Sequence, residues 1–203
     1  MVSIGEQRWM TENLRTTHYA DGNEIPLVPD PLSWISAGST GTYARCAYEN
    51  NATSAAIYGY LYNWYAATDP HGICPQGWHV PTDGEWTQLE TTLGMPTVEL
   101  DQFGVAPGEA QDVGGRLKST SALWQAPNLG ATDASGFSSL PSVYRSGSTG
   151  DFQALTVSGT WWSATVGEDN GLSLSRSLNN DGVGIQRTIS PKGRGFCVRC
   201  LQD

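Results

Sequence analysis

The chain has 203 residues, with 11 Lys plus Arg against 20 Asp plus Glu and a formal net charge of −9. That balance excludes a nucleic-acid partner, because gripping phosphates requires a basic face. No window is apolar over the length a bilayer demands, so no membrane span is expected. The 38% apolar content, with 8 Trp, 24 Gly and 11 Pro, suits one large loop-rich domain over residues 1–203.

In chain order, Val2 to Leu14 reads as a strand running into a turn. From Asp21 to Thr42 the prolines Pro26, Pro29 and Pro31 indicate an ordered loop, anchored by Trp34 and Ile35, which need burial. The run Ile57 to Ala67 (IYGYLYNWYAA) predicts a short helix packed on both sides.

The clearest local signal is Pro81-Thr82-Asp83-Gly84-Glu85-Trp86. Thr82 is a good N-cap, and Glu85 three residues on completes a capping box. Trp86, Leu89 and Leu93 then recur at helical spacing as one buried stripe, and Gly94 and Pro96 stop the helix.

Residues 97–136 show little periodicity and predict long surface excursions anchored by Leu117, Leu123 and Trp124. Trp161-Trp162-Ser163-Ala164-Thr165 has strand composition. Leu172, Leu174 and Leu178 share one strand parity, as do Val183, Ile185 and Ile189. Between them Asn179-Asn180-Asp181-Gly182 predicts a hairpin turn, since Asp-Gly accommodates positive φ. Gly195 to Cys200 reads as the final strand.

The four cysteines, Cys46, Cys74, Cys197 and Cys200, suggest two disulfides formed in an oxidising compartment, with four buried thiols as the alternative. Cys197 and Cys200 are spaced as C-x-x-C, but residues three apart in a strand point to opposite faces. Each is therefore expected to bond a distant cysteine. No basic-then-apolar leader follows Met1, so the disulfide reading also predicts a longer natural precursor.

Other motifs give weaker chemistry. His18, His71 and His79 lack metal-ligand spacing, and a structural hydrogen bond is the expected role of His79. Nucleophile elbows and phosphate loops are missing from the sequence. The acid pairs Asp83/Glu85 and Glu168/Asp169 are explained by capping and by a solvated loop, and nothing marks two acids as a glycosidase pair.

Several segments together resemble the Fibrobacter succinogenes major paralogous domain. They are Ile4 to Leu14, Tyr58 to Ala67, Cys74 to Trp86, Gly136-Phe137, Leu140-Pro141, Tyr144-Arg145, Trp161-Trp162-Ser163 and Gly195 to Cys200. That family is similar to the formylglycine-generating branch of the C-type-lectin-like fold. The resemblance implies an α+β architecture: two helices flanking a small twisted antiparallel sheet, adjacent chain ends and long irregular loops. It also implies a bacterial extracellular or outer-surface setting, as in lipoproteins and adhesin-like proteins. It further implies that Cys74 pairs with Cys200, which leaves Cys46 for Cys197.

The resemblance weakens the case for an enzyme. The catalytic cysteine pair of formylglycine-generating enzymes would lie upstream of the Gly-Phe-Arg ending, and no cysteine falls between Thr97 and Phe196. The Glu-Pro-Asn calcium motif of sugar-binding lectins is also missing, Gln125-Ala126-Pro127-Asn128 being only an echo. No cofactor is expected, although a structural calcium is compatible with the fold.

The expected function is a non-enzymatic binding module that presents its C-terminal hairpin to a protein or carbohydrate ligand. The alternatives are an envelope-sugar hydrolase, a degenerate oxidase relative, or a structural envelope module. The same fold serves the variable proteins of diversity-generating retroelements, whose mutable positions correspond to Gly167–Arg194. The candidate contact residues are Tyr144, Arg145, Trp161, Asp169, Asn170, Arg176, Asn179, Asn180, Asp181, Gln186 and Arg187. They offer adaptable hydrogen bonds and guanidinium forks on a fixed scaffold.

Overall fold

In the computed structural model, which describes every residue except Val105 and Val143, both chain ends enter one small sheet. The opening segment is a hairpin rather than a single strand: β1 (Val2–Ile4) pairs antiparallel with β2 (Gln7–Trp9). Gly5, at φ 59°, makes the tight turn between them. Next to β2 lies the C-terminal strand (Leu201–Gln202), which in turn pairs with Trp78–His79.

The segment before that last strand departs from expectation. Gly195, Phe196 and Cys197 make isolated bridges to Arg145, Tyr62 and Trp161, so regular pairing resumes only at Leu201. These residues carry the chain from one sheet to another, and no single ladder accommodates them. Cys200 bonds Cys74, as the resemblance implied. Cys46 and Cys197, however, are buried free thiols and not a second disulfide. Each has its own neighbour: Cys46 the Arg145 guanidinium, Cys197 the Tyr58 carbonyl at 3.7 Å. Burial pushes their thiols up to about 12 and about 11 respectively, so both behave as small hydrophobes.

A helix stands inside the predicted proline-rich loop. This α1 (Pro31–Thr40) opens with the Asp30 carboxylate accepting from the Ser33 amide at 2.8 Å, and closes at Gly41 in the left-handed region. Proline at the first helical position needs no amide partner there, so Pro31 starts the helix instead of preventing it. It buries Trp34, whose Nε1 donates to the Gly193 carbonyl.

The aromatic run is not one helix either. After β3 (Arg45–Cys46), the chain forms α2 (Ala52–Tyr58), then β4 (Leu61–Tyr62) paired with β3, then α3 (Trp64–Ala67). Gly59 causes the break: its φ is 82°, and a Cβ there would lie 2.8 Å from that of Asn13. Asn63 caps α3 by accepting from the Ala66 amide.

β5 (Trp78–His79) leads into α4 (Asp83–Thr92), which carries the expected capping box. Glu85 Oε2 accepts from the Thr82 amide at 2.7 Å, and Thr82 Oγ1 accepts from the Glu85 amide at 3.3 Å. Trp86 and Leu89 are wholly buried and Leu93 nearly so. The irregular region beyond contains α5 (Val113–Leu117). Leu117 and Trp124 anchor it in the core as expected, while Leu123 is half-buried.

β6 (Tyr144–Arg145) pairs with β7 (Phe152–Gln153). The main sheet then follows in the order β10-β9-β8, from β8 (Ser158–Val166), β9 (Leu172–Asn179) and β10 (Gln186–Pro191), all antiparallel. The chain closes with β11 (Leu201–Gln202).

Helix α4 covers one face of the β8–β10 sheet, and an aromatic cluster fills the gap. Trp9 and Trp86 lie 4.8 Å apart, with Phe137 and Trp161 within about 6 Å. Arg199 is buried among them, stacked on Phe137 and donating to the Phe137 carbonyl and to Asn13 Oδ1. Burial lowers its pKa to about 9, since its nearest acceptors are neutral.

Candidate functional site

Alternate residues of a strand point to opposite faces, so β8, β9 and β10 each divide into two sets. The inner set includes Trp161 of β8, Leu174, Arg176 and Leu178 of β9, and Arg187 of β10, and it faces α4. The outer set consists almost wholly of hydroxyl and amide residues. Cross-strand register aligns Ser158 with Asn179, Thr160 with Ser177 and Gln186, and Ser175 with Thr188.

One end of the outer face is closed. Trp162 packs on Phe196 at 4.3 Å and donates to the Tyr62 carbonyl. Beside it Ser175 bonds Thr188 and Ser190, and Ser173 donates to the Thr165 carbonyl at 2.8 Å. The other end is open, forming a groove of about 290 Å³ lined by Ser158, Thr160, Ser177, Asn179, Gln186 and Thr188, with Tyr144, Ile189, Ser190, Arg194 and Phe196 completing its wall. Among the described residues, the side chains of Ser158, Thr160, Ser177, Asn179 and Gln186 make no hydrogen bond to another protein group. Five donor–acceptor side chains thus converge on one concavity without internal partners.

The connector between β9 and β10, which ends this groove, is fixed by a buried cation. Lys118 Nζ donates to the carbonyls of Leu129 (2.7 Å), Asn179 (3.0 Å) and Gly182 (2.7 Å). Burial lowers its pKa, and the charges of Asp112 and Asp181 act against that shift. The ammonium ties two loops as a small metal ion would, by gathering backbone oxygens around one charge.

The expected contact residues therefore separate. Tyr144, Asn179 and Gln186 line the groove. Asp169, Asn170 and Asp181 are exposed on loops outside its lining. The others are buried, apart from Arg187, which is half-buried. Trp161 is wholly buried, and so is its neighbour Trp162. Arg145 is buried because its guanidinium holds the carbonyls of Val28, Pro29 and Gly150 and stacks on Trp34. Asn180 is buried with its amide on the carbonyls of Gln125 and Ala126.

Arg176 and Arg187 belong to a charge cluster beneath the sheet. Arg176 bonds Glu90 and, at 2.7 Å, Asp83; Arg187 bonds Asp83 at 2.6 Å and lies over Phe103. Burial works to raise the Asp83 pKa, but the Arg187 and Arg176 guanidiniums overcome it and hold the carboxyl below its ordinary value. Glu90, more deeply buried, is raised despite Arg176. Asp83 is thus more than a cap residue, a role the local spacing does not reveal.

Sequence reasoning missed Ser158, Thr160, Ser177, Thr188 and Arg194. A signal existed in the strict Ser alternation of Leu172-Ser173-Leu174-Ser175-Arg176-Ser177, which marks a polar outer face as clearly as it marks an apolar inner one. His79 has the structural role expected of it, bridging Asp203 and Glu85. Burial disfavours its protonated form, but those two carboxylates outweigh it and raise the pKa. Among the described residues no three His, Cys, Asp or Glu are placed to hold a metal, and no helix is long and apolar enough to cross a membrane.

A family model described as the Fibrobacter succinogenes major domain matches residues 2–202. No curated protein and no solved structure gives a significant match.

Proposed function

The chain belongs to the Fibrobacter succinogenes major domain family, and from that premise we propose that it is a non-enzymatic binding module whose contact surface is the open half of the outer β8–β10 face. The observation that carries this is the set of five hydroxyl and amide side chains lining one groove with no protein partner of their own. Such groups exchange water for ligand hydrogen bonds at little reorganisation cost. Among the described residues the lining contains no carboxylate, imidazole or thiol, so its hydroxyls and Tyr144 have no adjacent base to activate them.

Three features support a C-type-lectin-like arrangement. Both chain ends share one sheet, α4 packs across a separate antiparallel sheet, and Cys74–Cys200 ties the segment before β5 to the residue preceding the last strand. The disulfide also supports an extracellular or outer-surface setting, where such bonds persist.

An array of glycans and of host and envelope proteins, with and without calcium, tests the proposal against a Thr160→Val/Ser177→Ala/Gln186→Ala variant. Binding by the wild type that the variant loses, at unchanged melting temperature, is the expected result. Ligands held equally by both proteins would put the contact surface elsewhere. If nothing binds, a purely structural module becomes the better account.

A further inference from the structure

Charge distribution around the groove identifies its ligand more narrowly. Most of the basic residues are committed internally. Arg145 and Lys118 hold backbone carbonyls, Arg199 is buried on Phe137, and Arg176 and Arg187 are paired with carboxylates. Even the more exposed Arg15 has Glu12 at 3.3 Å. Arg194 differs: among the described residues its guanidinium has no carboxylate within salt-bridge distance and no hydrogen-bond acceptor.

The position of Arg194 is defined nonetheless. Its guanidinium lies 5.5 Å from the Tyr144 ring centroid, and the residue lines both the outer-face groove and a neighbouring one of about 380 Å³. The second groove runs beside α1 and α3, where Gly38 and Gly193 cross so closely that a Cβ on Gly38 would stand 2.8 Å from the Gly193 Cα. Lys192 also lines it, with Nζ on the Asn170 carbonyl at 2.8 Å and 4.1 Å from the Trp64 ring. Among the described residues neither groove has an acidic residue in its lining. In a chain with 20 acids and 11 bases, this is a cationic spot on an anionic protein.

We propose that the ligand is a carboxylate-bearing sugar of the uronic or sialic acid type, with its acid group on Arg194 and its hydroxyls on Thr160, Ser177 and Gln186. This rests on the groove being the binding site. The planar guanidinium matches a carboxylate bidentately, and net negative charge elsewhere leaves that contact without a competing anion-binding surface nearby. The rest of the lining is mostly hydroxyl and amide, which suits ring hydroxyls, joined by Tyr144, Ile189 and Phe196, which suit the apolar face of a sugar ring. The core of a protein interface would instead call for a predominantly apolar patch. At about 290 Å³ the outer groove lies near the lower bound for small-ligand sites.

Titration calorimetry with trigalacturonate, its methyl ester, sialyllactose and lactose tests the inference on the wild type, Arg194→Gln, Arg194→Lys and Thr160→Val/Gln186→Leu, each checked for folding by NMR. At least one acidic sugar should bind about tenfold or more tightly than its neutral counterpart. Arg194→Gln should abolish that difference, Arg194→Lys should keep part of it, and raising salt should weaken only the acidic sugar. Equal binding of acid and ester, unchanged in Arg194→Gln but lost in Thr160→Val/Gln186→Leu, would overturn the acid preference and leave the groove reading standing. Failure of all four sugars to bind, or equally tight binding of an oligoglutamate peptide, would overturn the sugar assignment.

Discussion

The two faces of the β8–β10 sheet are built from the same three strands, yet they do opposite work. On the inner face Trp161, Leu174 and Leu178 are buried, and the charged side chains among them, Arg176 and Arg187, are matched by Glu90 and Asp83. On the open end of the outer face, the side chains of Thr160, Ser177, Asn179 and Gln186 have no hydrogen-bond partner among the described residues and line the groove. A buried charge must find its counterpart within the fold, because water cannot solvate it there. Thr160 and Ser177 are largely buried at the groove and Asn179 and Gln186 half-buried, but as uncharged groups they need no counter-charge from the fold. Strand parity, more than residue type, therefore separates the arginines that stabilise from the side chains that can bind.

The comparison is broken most severely at Arg176. Arg176→Leu leaves Glu90 buried without its cation and should cost about 3–5 kcal/mol in denaturant unfolding. Adding Glu90→Met should restore much of that loss, and an unchanged midpoint in the single variant would show that the inner face is not held by charge. Lys118→Met strands carbonyls of Leu129, Asn179 and Gly182, for an expected loss of about 2 kcal/mol. Hydrogen exchange should then quicken around residues 179–183, whereas uniform quickening would argue against a local tie.

Acid unfolding gives a smaller and more specific signal. Asp83 has its folded pKa held below 3.8, so its contribution is full above that value and is lost as pH falls through the folded pKa. Asp83→Asn should flatten the stability profile below pH 3.8, as followed by urea melts across pH; a profile as steep as wild type would exclude Asp83 as a source. The smallest effect belongs to the outer face. Thr160→Val/Ser177→Ala/Gln186→Ala should change stability by less than about 0.5 kcal/mol per site, and a larger loss in thermal melts would mean that these groups hold the fold.

Local signals in the sequence were read well where neighbours in sequence are also neighbours in space. The Thr82–Glu85 capping box and the Trp86, Leu89, Leu93 stripe gave α4 with its buried face. The Leu172, Leu174, Leu178 parity identified β9, although its partner β10 begins only at Gln186 and carries an exposed Ile189. Helix α1 was legible in Asp30-Pro31 and Gly41 but was obscured by treating prolines as breakers alone. The break at Gly59 was not legible, because the atoms that exclude a Cβ belong to Asn13 and Leu14, more than forty positions away.

The candidate site divides along the same line. Hairpin composition points to Asn179 and Gln186, and Tyr144 joins them at the groove, whereas Arg145, Trp161, Arg176 and Asn180 have the polar or aromatic character of ligand contacts but are buried. Apart from Gly150 beside Arg145, their partners Val28, Pro29, Glu90, Asp83 and Gln125 are distant in sequence. The sequence by itself determined the α4 helix and the alternation of β9 through local pattern, and the family, with the α+β class it implies, through resemblance of its motifs. Which arginine is neutralised, which thiols stay free and which hydroxyls remain open were decided only by tertiary structure. Each depends on whether a distant chain segment brings a partner within hydrogen-bond reach.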